Sequence, residues 1–335
     1  SEMCIRDRSW RHAEARGLKP SAMSYRLVLV GLCLLLAACT KGTQTTSSSS
    51  SESASAAPGS KVIGVSIQNR EAQFYQDMEN GMKSEAQKFG DTVNVVDAGR
   101  DNAKQQSQVE DFISEKVAAI VLTPYDSQAI GSAIAEANKA GIPVFTADIA
   151  NTSKQGVVIA HVASDNVQGG AEAGKLMCAA RPSGGDIAII DEPEVTSVQD
   201  RVKGFKSAVA ACHLTIVADI DGGGQRAKAS NVMEDILQSH KSVKGVFGIN
   251  DDSALGASRA AAAAGVAGKV VIVGYDATPE ARAAIASGAM YGDAIQHPDQ
   301  IGAQTIDAIN DYFSGKKPPA VIHVPVGQFT KATAQ

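Results

Sequence analysis

Apolar residues along the chain fall into two alternating rhythms. Short unbroken runs rich in Val and Ile, such as KVIGVSI at Lys61–Ile67 and AAIVLT at Ala118–Thr123, have the continuity of strands buried on both faces. Between them apolar residues recur every three or four positions. Phe74, Met78, Met82, Ala86 and Phe89 predict a helix with one inward face, stopped by Gly90. Further strands are predicted at Val93–Val96 and Ile142–Thr146. Helices are predicted over Gln108–Glu115, with Val109, Phe112 and Ile113 inward, and over Ser127–Ala140, closed by Gly141. The second half repeats the plan. Strands are read at Asp186–Ile190, Leu214–Val217, Lys244–Ile249, Val270–Val273 and Met290–Ile295. Helices lie near Val198–Ala211, Ala227–Gln238, Ser253–Ala264 and Pro279–Ala286. Pro298 opens a helix through Phe313 with Ile301, Ala308, Ile309 and Tyr312 inward, and one last strand spans Ala320–Val326. Alternation of this kind gives α/β architecture: parallel sheets with helices on both faces.

The stretch Val157–Gly170 divides the chain. An apolar run ends in Asp165-Asn166, and Ala171–Ala180 then reads as a helix. Asp and Asn suit a helix N-cap, because their side-chain oxygens accept the orphan N–H groups of a first turn. This junction is read as the first crossing between two α/β lobes, with Asp165 and Asn166 facing the gap.

Before Lys61 the pattern changes. Residues 1–22 read as upstream sequence and Met23 as the better start. Arg26 and the apolar run Leu27–Leu36 form a signal segment, well short of the ~20 residues that span a bilayer. Leu36-Ala37-Ala38-Cys39 resembles a bacterial lipoprotein box, which implies a signal peptide over 23–38 and a lipid on the Cys39 sulfur. Residues 39–60 are Ser-rich and nearly free of large apolar residues, so they read as a flexible tether. The 31 Lys and Arg against 36 Asp and Glu leave the chain mildly acidic. No basic stripe with interleaved aromatics appears, which excludes a nucleic-acid partner. Processing removes Cys4 and Cys33, leaving Cys178 and Cys212 as either a disulfide or two separate thiols.

Most chemical motifs fail on inspection. Gly169-x-x-x-x-Gly174-Lys175 ends in Leu176 where a phosphate loop needs Ser or Thr, and Asp219–Gly224 lacks ligands at two positions of a calcium loop. No nucleophile elbow appears, the His residues show no metal-ligand spacing, and no metal or cofactor is expected. What recurs is a polar residue at the C-terminal end of a strand: Gln68 and Asn69, Asp148, Asp165-Asn166, Asn250-Asp251-Asp252, Asp276 and Gln296. Ligands of open α/β sheets bind outside those ends. Acceptors mixed with amides that both donate and accept match a ligand rich in hydroxyls.

From Lys61 to about Phe329 the chain resembles periplasmic sugar-binding proteins of the ribose-binding type, which serve ABC importers. The matches are ASDNVQGG (163–170), DRVKGF (200–205), VFGINDDSALGA (246–257), VIVGYDATPEA (271–281) and QHPDQIGA (296–303). The resemblance implies a type I periplasmic-binding-protein fold, two Rossmann-like lobes joined by a three-strand hinge. One lobe takes residues 61–164 and 297–324, the other 165–296 and 325–335. It implies that Asp148 and Asn166 bind sugar hydroxyls near the hinge, and that Arg201, Asn250, Asp276 and Gln296 do so from the second lobe. Phe74 and Tyr75 match aromatics that pack on the sugar ring, and Gln68 and Asn69 join the candidate set. The sequence departs from the family at Ile149, where an Arg is usual, at Ala72, where an Asn often binds, at Gly224, where an aromatic closes the opposite wall, and at Gln68, which replaces a small hydroxyl residue. These departures point away from ribose, toward a larger or less polar polyol or a modified sugar. The implied partners are an ABC permease with its ATPase, and the implied state is a monomer anchored by lipid in the periplasm or at the cell surface. A sensor presenting bound solute to a chemoreceptor or kinase is the alternative. A repressor would need a helix-turn-helix before the first lobe, and an enzyme a nucleophile–base or metal constellation; neither is present.

Overall fold

The computed structural model describes residues 60–333. The signal segment, Cys39 and nearly all of the tether lie outside the described residues. Two six-stranded sheets carry the fold. The first contains β1 (Val62–Ile67), β2 (Thr92–Asp97), β3 (Ala119–Leu122), β4 (Val144–Ala147), β5 (Val158–Ser164) and β11 (Val321–Val324), in the order β11-β5-β4-β3-β1-β2. All of its ladders are parallel. The second contains β6 (Gly185–Asp191), β7 (Leu214–Asp221), β8 (Val243–Gly248), β9 (Val271–Asp276), β10 (Gly292–Ile295) and β12 (Gly327–Thr330), in the order β12-β10-β9-β8-β6-β7. Only β12 runs antiparallel there.

Helices cover both faces of each sheet. On the first, α1 (Gln73–Lys88) and α9 (Pro298–Phe313) pack on one face, and α2 (Asn102–Glu115) and α3 (Gly131–Lys139) on the other. On the second, α4 (Asn166–Ala180) and α5 (Thr196–Val209) face α6 (Arg226–Ser239), α7 (Asp251–Ala263) and α8 (Pro279–Ser287) across the strands. The chain passes between the sheets three times: from β5 into α4, from β10 into α9, and from β11 into β12.

Several predicted elements shift. The single last strand over Ala320–Val326 is two strands on different sheets, because Pro325 offers no N–H to a ladder and ends β11. α2 starts six residues before Gln108, capped by Asp101, whose side chain accepts from the Lys104 N–H. Its first turns bury Gln105 rather than an apolar residue, so apolar periodicity misses them. α3 begins at Gly131 rather than Ser127, since Asp126 Oδ1 accepts from the N–H groups of Gln128 and Ala129 and holds a turn. Phe89 and Tyr312, expected inward, are 46 % and 38 % exposed at their helix ends.

The α4–α5 crossing bears directly on the site. A Cβ on Gly170 would strike the Arg201 carbonyl, and one on Gly204 would strike that of Val167. The two glycines let the backbones touch, which seats Arg201 beside the start of α4. A Cys178–Cys212 disulfide, with Cα atoms 5.6 Å apart, ties α4 to the turn that follows α5.

Candidate functional site

The carboxyl ends of the two sheets face each other across a cavity of about 300 Å³. Gln68, Phe74, Tyr75, Arg100 and Asp148 line it from the first sheet. Glu192, Arg201, Asn250, Asp251 and Asp276 line it from the second. Of the ten ligand-binding candidates, seven therefore meet at one cavity. Arg100, Asp148 and Asp276 have φ of 61°, 63° and 118°, a backbone region costly for residues with a Cβ. Such strain gathers where a site over-determines the chain.

Arg201, on α5, is the centre of the buried network. Its Nε–H donates to Asn166 Oδ1 at 2.9 Å and an η-nitrogen donates to the Ile249 carbonyl at 3.0 Å. Its guanidinium stacks 4.1 Å above the Tyr275 ring, and the Tyr275 hydroxyl donates to the same Asn166 oxygen at 3.2 Å. The other η-nitrogen lies 3.9 Å from Asp148 Oδ1, which has no hydrogen-bond partner within the protein. Burial pushes the Asp148 carboxyl up to about 6, and the Arg201 charge offsets only part of that rise.

Three candidates stand behind the lining instead of in it. Asn166 holds Arg201, as just described. Gln296 donates to Asp276 Oδ1 at 2.7 Å, and Asn69 Oδ1 accepts from the Ala72 N–H at the start of α1. Asn250 lines the cavity, yet its Oδ1 caps α7 by accepting from the Ser253 N–H and its Nδ2 donates to the Gly224 carbonyl. Gln68 accepts from Asn69 Nδ2 and from the Tyr75 hydroxyl, each at 3.0 Å, and leaves Nε2 buried without a partner. Phe74 and Tyr75 meet edge to face, their centroids 5.2 Å apart, at one wall.

Two of the lining carboxyls, Asp251 and Asp276, belong to a carboxyl cluster that includes the buried Asp293. Asp276 accepts from the Asp251 N–H, and Asp251 accepts from the Thr278 N–H at 2.7 Å. Burial together with the neighbouring Asp293 carboxyl holds Asp251 well above the usual range, and burial raises Asp293 to about 7.

Arg100, Glu192, Tyr275 and Asp293 escaped the sequence reading, and Asp251 was read as a polar strand end but not carried into the ligand-binding set. Arg100 and Glu192 had a signal. Each closely follows a strand, VNVVD and IAIID, so the strand-end rule applied evenly would have reached both. Arg100 crosses the cleft, bonding Glu192 Oε1 at 3.2 Å and the carbonyls of Gly223 and Gly224 at 3.0 and 3.4 Å. Tyr275 hides inside an apolar strand, and Asp293 is a fully buried strand residue with no local mark.

Polar groups converging between two hinged sheets define a receptor that encloses its solute. The periplasmic binding protein domain matches residues 63–317. A ribose import binding protein of Salmonella typhimurium is 36 % identical over 245 residues, spanning 73 % of this chain and 82 % of that one. Among solved structures, an ABC transporter solute-binding protein from Mycobacterium smegmatis with bound glycerol is 32 % identical, with a TM-score of 0.78 over 82 % of this chain and 96 % of that one. Another, from Bacillus halodurans with bound myo-inositol, is 29 % identical, with a TM-score of 0.76 and the same coverage. The chain belongs to the periplasmic binding protein family, in its ribose-binding type. Its relatives are binding proteins of transport systems, not enzymes.

Proposed function

We propose that the protein is a lipid-anchored receptor that captures a sugar or related polyol between its lobes and delivers it to an ABC importer. The observation that carries this reading is the cavity itself, small and lined from both sheets by groups that bond hydroxyls. About 300 Å³ suits a ligand of monosaccharide size, at the lower end of ligand cavities. Buried donors and acceptors at its edge, among them Gln68 Nε2 and Asp148 Oδ1, have no protein partner, and a polyhydroxyl ligand supplies both roles. Phe74 and Tyr75 offer an apolar edge for the C–H face of a sugar ring. Ribose, glycerol and myo-inositol, named for the relatives, share this chemistry.

The ligand-binding set in this reading is Gln68, Phe74, Tyr75, Asp148, Arg201, Asn250 and Asp276, with Asn69, Asn166 and Gln296 positioning them. One lobe comprises residues 61–164 and 297–324 and the other 165–296 and 325–335. The protein is exported and held at the membrane through Cys39, with residues 40–60 as tether. A thermal-shift panel of ribose, allose, myo-inositol and glycerol beside amino acids and dipeptides tests the ligand class. At least one polyol should raise the melting temperature; stabilisation by amino acids or dipeptides alone contradicts the reading. For the anchor, Cys39→Ser should accumulate as an unprocessed precursor by intact mass. A variant still cleaved after Ala38 and lipidated would contradict it.

A further inference from the structure

The wall of the cavity beside Gly224 has no side chain of its own. Gly224 sits at φ +60°, and a Cβ there would strike the Glu192 carboxylate and crowd the Asn250 amide. A larger residue there would take a strained backbone conformation and would have to displace the Glu192 carboxylate. What stands against Gly224 instead is Arg100, which comes from the opposite lobe, in the loop between β2 and α2.

The geometry around Arg100 is that of a built contact. Its backbone N–H donates to the Gln68 carbonyl at 2.9 Å, fixing the loop to the end of β1. Its guanidinium reaches three acceptors on the second lobe, and the Arg100 and Glu192 side chains are only 11 % and 6 % exposed. Glu192 would otherwise be a buried acid with no cationic partner in bonding distance. A flexible side chain meeting three acceptors in a dry site is held far more firmly than a surface pair. The other polar contacts between the lobes gather at a second seam, where Ser127 and Thr196 exchange bonds at 3.1 and 3.2 Å, the Ala150 N–H donates to the Thr196 hydroxyl at 3.2 Å and the Ser127 N–H donates to the Glu194 carbonyl at 3.4 Å. None of these involves a charged side chain, and Arg201 approaches Asp148 only to 3.9 Å.

This arrangement makes one wall of the cavity a moving part. Because Arg100 belongs to one lobe and its acceptors to the other, that wall exists only when the cleft is shut. A ligand too long to leave room for the guanidinium blocks the contact, and with it closure. A ligand that fits beneath it is trapped.

We infer that Arg100 is a specificity-determining residue: its bridge to Glu192, Gly223 and Gly224 completes the cavity on closure and sets the length of ligand that is retained. The inference rests on the polyol reading above, and it adds a size limit enforced by the bridge rather than by a fixed wall. Since the encounter happens in the open form, loss of the bridge should act on dissociation.

The test is stopped-flow and calorimetric titration of D-ribose, D-allose, myo-inositol, glycerol and the disaccharide maltose against wild type, Arg100→Ala, Arg100→Lys and Glu192→Gln. For the best binder among the four small polyols, Arg100→Ala should raise the dissociation rate about 10- to 100-fold, the range for one lost charge-assisted contact, with the association rate within about threefold. Arg100→Lys should recover only part, because an ammonium cannot meet three separated acceptors. Glu192→Gln should weaken retention, and its effect should not add to that of Arg100→Ala. The preference for the small polyols over maltose should narrow in Arg100→Ala. A dissociation rate within twofold of wild type, with an unchanged ranking of the five sugars, would overturn the inference while leaving the polyol reading intact. A wild type that binds none of the five would overturn the polyol reading itself.

Discussion

Asn166 Oδ1 accepts the Nε–H of Arg201 at 2.9 Å, and this bond orients the Arg201 guanidinium in the site. Asn166 does not line the cavity, so its influence passes through Arg201. Asn166→Ala should leave the fold intact and weaken polyol binding about tenfold, because Arg201 and the Tyr275 hydroxyl both lose an acceptor. Asn166→Asp keeps that acceptor and should bind better than the Ala variant in calorimetry. Equal losses in the two variants would mean that Arg201 is held by its other contacts.

The buried carboxyls in and around the site predict how stability depends on pH. Asp293 is raised from 3.8 to about 7 by burial, and Glu192 and Asp148 rise to about 7 and about 6 for the same reason. A carboxyl held above its usual value keeps its proton more tightly in the folded state than in the unfolded one. Folding then takes up protons, and stability falls as pH rises from about 4 to about 7. His161, lowered from 6.5 to about 4 by burial, acts oppositely, losing stability as pH falls through that range, but it is one group against several. The melting temperature should therefore be higher at pH 5.5 than at pH 7.5. Asp293→Asn, which cannot ionise, should flatten the slope. A slope equal to wild type would show that Asp293 does not titrate in this window.

The disulfide closes a loop across 34 positions between α4 and the chain leading into β7. By chain entropy it should contribute roughly 3–4 kcal/mol. Reductant, or Cys178→Ala with Cys212→Ala, should lower the melting temperature by several degrees without abolishing polyol binding, since neither residue lines the cavity. Two thiols titrating in denatured, unreduced mature protein would contradict the bond.

Ile149 lines the cavity and is 1 % exposed, so the site has a hydrocarbon at the position where the sequence resemblance implies a guanidinium. A fork of donors is not replaced by a methyl group, and the donor it would supply to a ribose oxygen is absent. Ribose is therefore not expected to be the tightest ligand. Myo-inositol, allose or a modified sugar should bind more tightly in calorimetry, whereas submicromolar ribose ahead of all of them would contradict this use of Ile149.

Legibility in the sequence followed the physics of each element. Strands buried on both faces announce themselves as apolar runs, and one-faced helices by their period, so the two-sheet plan could be read directly. Helix α9 was read to its last residue because Pro298 fixes its start. The splitting of the last strand was not read, because strand propensity says nothing of which sheet a segment joins; Pro325 was the overlooked mark. In the site, Asp148, Asn250 and Asp276 were legible as polar strand ends. Asn69, Asn166 and Gln296 were legible as polar but not as supporting residues, since only geometry separates the lining from what holds it. Arg100 follows a strand and lay within reach of the same rule, but its bonding across the cleft was not legible, because its partners lie 92 to 124 positions away on the other lobe.

The central claim is that a polyol is enclosed between two lobes that close on it. Seven lining candidates divide between the sheets, so neither side alone satisfies the ligand. Small-angle scattering of the mature protein, with and without a saturating amount of the polyol that most raises its melting temperature, measures closure directly. The account predicts a smaller radius of gyration at saturation, and a smaller change in Arg100→Ala. An unchanged radius of gyration at full occupancy would contradict it.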